Sequence, residues 1–184
     1  MTNEHREHDH DELDHAEHDH EGHLHGHEPS ALEPVQHRAE AVALFNAVWE
    51  MLDARDRTAA QDDQLIHAAH ASRWHWSQAG ELGGDQQRAI GEWQCSRVYS
   101  VLGRGEPALH HAKACLAICE ETGLGDWVVA AAYEALARAS VVAGDASEAR
   151  AWLARARTAT AAIAEPEDRE VIEADLDSLP ILAG

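Results

Sequence analysis

From residue 38 onward apolar side chains recur every three or four positions, whereas before residue 31 they are too sparse to recur at all. In RAEAVALFNAVWEMLDAR, Val42, Phe45, Val48, Trp49 and Leu52 fall on one stripe at helical spacing, which predicts a first helix. The same period predicts a second helix over about 60–79, ending at Gly80, and a third from Asp85, as N-cap, to Gly103, as C-cap. Further helices are expected over about 105–122, 126–143, 145–163 and 166–179, separated by Gly123, Gly125, Gly144 and Pro166. Strict alternation with clustered Val, Ile and Thr is absent, so the fold class is all-α, with about seven helices.

Residues 1–30 offer only Met1, Leu13, Ala16 and Leu24 as apolar side chains. Burial of so little cannot offset the ~1 to 2 kcal/mol of backbone entropy that each ordered residue would lose, and the expectation is a disordered tail. Pro29 and Pro34 disfavour helix in the residues before them and set the boundary. Two parts follow: a tail over 1–30 and a helical domain over 31–184.

Two stretches of that domain read as copies of one unit, WQCSRVYSVLGRGEPALHHAKACLAI and YEALARASVVAGDASEARAWLARART. Their glycines, Gly103 and Gly144, stand 41 residues apart, against about 34 in a tetratricopeptide repeat. Around Gly144, the residues Tyr133, Leu136, Ala137, Ala149, Leu153 and Ala156 occupy the aromatic, Leu, small, Ala, large and Ala positions of that pattern. Cys95, Ser96, Tyr99, Ala108, Ala112 and Cys115 fill the matching places of the other copy, which departs from the pattern with Glu92 in the aromatic slot. Over roughly 85–164 the chain therefore resembles tetratricopeptide-like helical hairpins. The resemblance implies a short right-handed solenoid of antiparallel hairpins whose concave face takes a peptide or partner protein and seldom catalyses. It also implies that Trp93, Arg97 and Ser100 line that face in one copy and Glu134, Arg138 and Val141 in the next.

Charge narrows the choice of partner. Lys and Arg total 14 against 34 Asp and Glu, so nucleic acid and anionic membranes are repelled, and no run approaches the ~18 apolar residues of a membrane span. Glu4, Glu7, Asp9 and Asp11 stand where a secretory leader carries basic residues, and the three cysteines, Cys95, Cys115 and Cys119, have no CxxC spacing. Both features predict a cytoplasmic protein.

The tail interleaves His5, His8, His10, His15, His18, His20, His23, His25 and His27 with ten carboxylates. Imidazole beside carboxylate suits Ni²⁺, Zn²⁺, Co²⁺ and Cu²⁺ with little selectivity, since no fixed geometry excludes the wrong ion. In composition the tract resembles the metal-storage tails of bacterial nickel- and zinc-handling proteins. A solubilising, pH-sensitive tail is the alternative.

Within the domain, the second helix supplies His67, His70 and His75, of which His70 and His75 are candidate ligand-binding groups, although packing histidines have the same appearance. The fourth helix carries His111, Cys115 and Cys119 at i, i+4 and i+8, with Cys95 within reach, and alone this suggests a soft-metal site. The repeat register instead turns Cys95 and Cys115 into the hairpin interior as small hydrophobes. Arg97 and Arg138, one repeat apart beside an exposed Trp93, suit an anionic group; the alternative is that they pair with Glu92 and Glu134 along their own helices.

Two functions result. One is a non-enzymatic binding protein whose groove, with Trp93, Arg97, Glu134 and Arg138, takes a protein, peptide or small anion, and whose tail binds metal. The other is a small enzyme that uses His67, His70 and His75, with or without a metal, in a pocket closed by Trp74, Trp76 and Trp93.

Overall fold

A computed structural model describes residues 32–179. It contains seven α-helices and, among the described residues, no strand: α1 Pro34–Asp53, α2 Ala59–Gln78, α3 Asp85–Val101, α4 Gly105–Thr122, α5 Asp126–Val142, α6 Ala146–Ala161 and α7 Pro166–Asp177. The tail histidines expected to bind metal lie outside the described residues. One short 3-10 turn, Gly80–Gly83, was not foreseen; it follows α2, and a Cβ on Gly83 would lie 2.0 Å from the carbonyl oxygen of Trp76.

Local chemistry sets the helix ends. Thr58 accepts from the Gln61 amide while its own amide donates to Gln61 Oε1 at 2.8 Å, a reciprocal cap that starts α2. Arg57 donates to the carbonyls of Met51, Leu52 and Ala54 at the end of α1, where backbone acceptors lack helical partners. Asp85, expected as the cap of α3, is its first helical residue, and Gly84 holds the cap position. Gly103 likewise stands one place beyond the C-cap, Leu102, with φ of 70°.

The turns after α3 and α5 have the same backbone. Gly103 and Gly144 both have positive φ, and in each turn the next amide bonds back five residues, Arg104 to Tyr99 and Asp145 to Ser140, both at 2.9 Å. These are Schellman closures, and they carry the 41-residue spacing of the sequence into three dimensions. The second turn also touches the start of α4: a Cβ on Gly105 would stand 2.6 Å from Ala143 Cα, so only glycine permits this approach.

Helices α1, α3 and α5 each pack most extensively on the one that follows, α2, α4 and α6 respectively, while α2–α3, α3–α5 and α4–α5 contacts join the pairs. Short connections make the members of a pair antiparallel neighbours. Helix α5 lies at the centre, with Ala130, Ala132, Ala137 and Ala139 fully buried, and these small side chains let the neighbouring helices come close. A smaller apolar cluster, Val48, Leu65, Ala69, Cys95 and Val98, joins α1, α2 and α3. Helix α7 covers α5 and α6 with Ile172, Leu176 and the following Leu179. No helix among the described residues is long and apolar enough to cross a membrane.

Candidate metal centre

Between α2, α3 and α4 lies a polar cluster inside an otherwise apolar contact. His70 comes from α2, Glu92, Cys95 and Tyr99 share a face of α3, and His111 comes from α4. One ligand atom from each of His70, Cys95 and His111 lies within 4.8 Å of the other two. In a tetrahedral zinc site, neighbouring N and S ligands stand roughly 3.3 to 3.8 Å apart, so an inward movement of about 1 Å would close this group on an ion. The three residues can hold a metal ion.

The surroundings orient the two imidazoles. His111 Nδ1 is 2.7 Å from Glu92 Oε2, which leaves Nε2 as its free nitrogen, and a carboxylate behind a histidine is the usual outer partner of a metal-ligating imidazole. His70 Nε2 is 2.9 Å from the Tyr99 hydroxyl, and the Tyr99 ring stacks on His111 with centroids 5.6 Å apart and planes 6° from parallel. Arg73 closes the network by donating from Nε to the other oxygen of Glu92.

Burial sets the protonation of these groups. Desolvation lowers the pKa of His70, and His111 and Arg73 lower it further, which favours the neutral imidazole that a metal requires. Burial raises the Glu92 carboxyl, but hydrogen bonds from His111 and Arg73 outweigh it and hold the group below its ordinary value. The Cys95 thiol is pushed up to about 12 by burial and by the charge of Glu92. Without a metal it stays protonated and, being fully buried, inert.

Only part of the expected histidine cluster assembles. His67 is exposed, His70 turns to Tyr99 and His111, and His75 turns the other way, with its Nδ1 2.8 Å from His37 Nδ1 beside the exposed Trp74. Trp76 and Trp93 are buried, and Trp93 packs on Trp49 at 5.2 Å. The enzyme pocket imagined around His67, His70 and His75 therefore does not form as one cavity wall. Cys115 and Cys119 are buried as well, and the Cys115 thiol is held high by its hydrogen bond with Cys119 and by burial. Neither joins the group formed by His70, Cys95 and His111.

Trp93, Arg97, Glu134 and Arg138 do come together, but they are not open to solvent. Glu134 is completely buried and accepts from Arg97 at 3.2 Å and from Arg138 at 2.6 Å. Arg97 also grips Asp175 of α7, with Nη1 2.9 Å from Oδ1 and Nη2 2.7 Å from Oδ2. Arg138 donates to the Asp175 carbonyl and to Ser178 Oγ, each at 2.8 Å. The expected exposed tryptophan with two free arginines is thus corrected: α7 covers that face, and its carboxylate occupies the place assigned to an outside anion. Arg138 pairs with Glu134 one turn away, as the alternative had it, but Glu92 pairs with Arg73 and His111 and not with Arg97.

Compared with known proteins, the chain matches no family model, no curated protein and no solved structure.

Proposed function

We propose that the chain is a non-enzymatic helical protein that binds a divalent transition-metal ion through His70, Cys95 and His111, and whose histidine-rich tail adds low-selectivity capacity for Ni²⁺, Zn²⁺, Co²⁺ or Cu²⁺. The observation that carries this reading is the convergence of two imidazoles and a thiol from three helices within 4.8 Å, with Glu92 set behind one imidazole. A thiolate with two imidazoles suits borderline-to-soft ions and disfavours Mg²⁺ and Ca²⁺. The tetratricopeptide-like resemblance and a cytoplasmic setting, where free thiols persist, fit a protein that holds or passes on an ion.

The same residues could be taken for a nucleophile, base and orienter in the order Cys95, His111, Glu92, the arrangement of a thiol hydrolase. Two facts weigh against it. Cys95 is 0% exposed, and its thiol is pushed up to about 12, whereas catalytic cysteines are accessible and have lowered pKa values.

Cobalt separates this site from the tail, because residues 1–30 contain no cysteine. Titration of the full chain with Co²⁺ is expected to produce a near-ultraviolet thiolate-to-cobalt charge-transfer band that saturates at one ion, and Cys95→Ser is expected to abolish it. A band that survives Cys95→Ser, or none in the unaltered protein, would overturn the assignment.

A further inference from the structure

His37, in the first turn of α1, and His75, in the last turn of α2, meet about 140° around α2 from His70. Their Nδ1 atoms are 2.8 Å apart and their ring centres 5.0 Å apart, close to the largest separation that gap allows, so the two nitrogens point at each other. One of them carries the shared hydrogen and the other accepts it. His37 is 8% exposed and His75 half-buried, while the exposed Trp74 stands edge-on to both rings, at 5.3 and 4.9 Å. One turn along, the fully buried Ser72 donates to the Ala41 carbonyl at 2.9 Å and fixes the spacing of the two backbones.

That spacing suits an ion as well as a proton. Two imidazoles on one tetrahedral ion, with bonds of ~2.0 to 2.1 Å, have nitrogens about 3.3 Å and ring centres about 5.2 Å apart. The ring centres are therefore already in place, and a small turn of each ring opens the gap without moving either helix. Protons balance too: with both rings neutral, the donor ring shifts its hydrogen from Nδ1 to Nε2, both Nδ1 lone pairs face the ion, and none is lost. Burial and the neighbouring His37 hold His75 below the ordinary imidazole pKa despite the charge of Glu40, so the ring is neutral near pH 7. That same charge, one turn along α1 from His37, favours a cation between the rings.

We propose that His37 and His75 form a second transition-metal site, a two-imidazole clasp that pins the start of α1 to the end of α2 and takes borderline divalent ions such as Ni²⁺, Zn²⁺, Co²⁺ or Cu²⁺. Water completes the coordination. The proposal is independent of the group formed by His70, Cys95 and His111.

The test uses the full chain carrying Cys95→Ser, which lacks the thiol of the other site, and follows tryptophan emission during titration with Ni²⁺, an ion that quenches nearby indoles. Trp74, packed on both rings, is the reporter. A saturable loss of emission is expected, and adding Trp74→Phe is expected to remove it. Adding His37→Gln or His75→Gln is expected to shift the midpoint to about ten-fold higher Ni²⁺ or more, since losing even an outer partner of a ligand commonly costs that much. If His37→Gln loses its helical circular dichroism, the more exposed His75→Gln decides alone. The histidines of residues 1–30 are the same in every variant, so they do not account for such a shift. An unchanged midpoint in the folded glutamine variants, quenching undiminished by Trp74→Phe, or no quenching at all would overturn the proposal.

Discussion

Replacing Arg97 and Arg138 together with alanine should lower the unfolding free energy by about 3 to 5 kcal/mol, the usual cost of leaving a buried charge without its partner. Glu134 is 0% exposed and receives both guanidinium groups, so neither water nor another cation compensates it once they are gone. Arg97 also lies over the rings of Trp49 and Trp93, 6.0 and 5.7 Å from their centroids, and its removal takes away packing as well as charge. Against a typical total of about 5 to 15 kcal/mol, this is a large fraction. Urea denaturation followed by circular dichroism measures it. Adding Glu134→Gln to the double variant should recover part of the loss by neutralising the stranded carboxylate. Alanine at the exposed His110 and Lys113 is the matched control, expected within about 0.5 kcal/mol of the unaltered protein. A stability change equally small in the arginine variant would mean that the buried ion cluster does not exist in solution.

The sequence pointed to Arg97 and Arg138 as an open groove for an anion, and the reason the structure differs is physical. Trp93, Arg97, Glu134 and Arg138, grouped in the sequence by small residues at fixed spacing and by the turn glycines Gly103 and Gly144, do lie near one another, but buried under α7. A register says nothing of where a helix outside the repeated segment comes to rest. Helix α7 lies beyond that segment, and its Asp175 reaches residues 37 and 78 positions away in sequence, a separation at which no periodicity speaks.

The group of His70, Cys95 and His111 was partly legible. His70 and His75 are five residues apart, about 140° around a helix, so they could not share a ligand face, and this followed from helix geometry alone. The register also turned Cys95 into the interior of the hairpin formed by α3 and α4 and placed His111 one turn before Cys115. What it could not show is that the residue from α2 facing this interior is a histidine, or that Glu92, out of place in an aromatic slot, is held there by His111 and Arg73. A charged residue in an apolar position was the signal, and its meaning depended on two other helices.

Metal affinity at this site should rise about ten-fold per pH unit between pH 7 and 9, about a hundred-fold in all. The bound form needs the Cys95 thiolate, while the free thiol, pushed up to about 12, is protonated throughout this range, so each ion displaces one proton. His70, whose pKa is lowered by burial, is already neutral at pH 7 and contributes no further slope. A site of imidazoles alone levels off above about pH 7.5, because ordinary imidazoles titrate near pH 6.5. Competition with a chromophoric chelator, run on the unaltered chain and on Cys95→Ser, separates the two behaviours: the steep component should vanish in the variant. A flat profile for the unaltered chain would show that the thiol is not a ligand.

The most direct test is X-ray absorption at the zinc edge on the full chain loaded with one equivalent of Zn²⁺ at about pH 8. If His70, Cys95 and His111 hold the ion, the first shell contains one sulfur at about 2.3 Å together with nitrogen or oxygen neighbours at about 2.0 to 2.1 Å, and outer-shell imidazole scattering accounts for two rings. A first shell of nitrogen and oxygen alone would contradict the account, placing the ion on histidines and carboxylates elsewhere and leaving Cys95 a buried thiol.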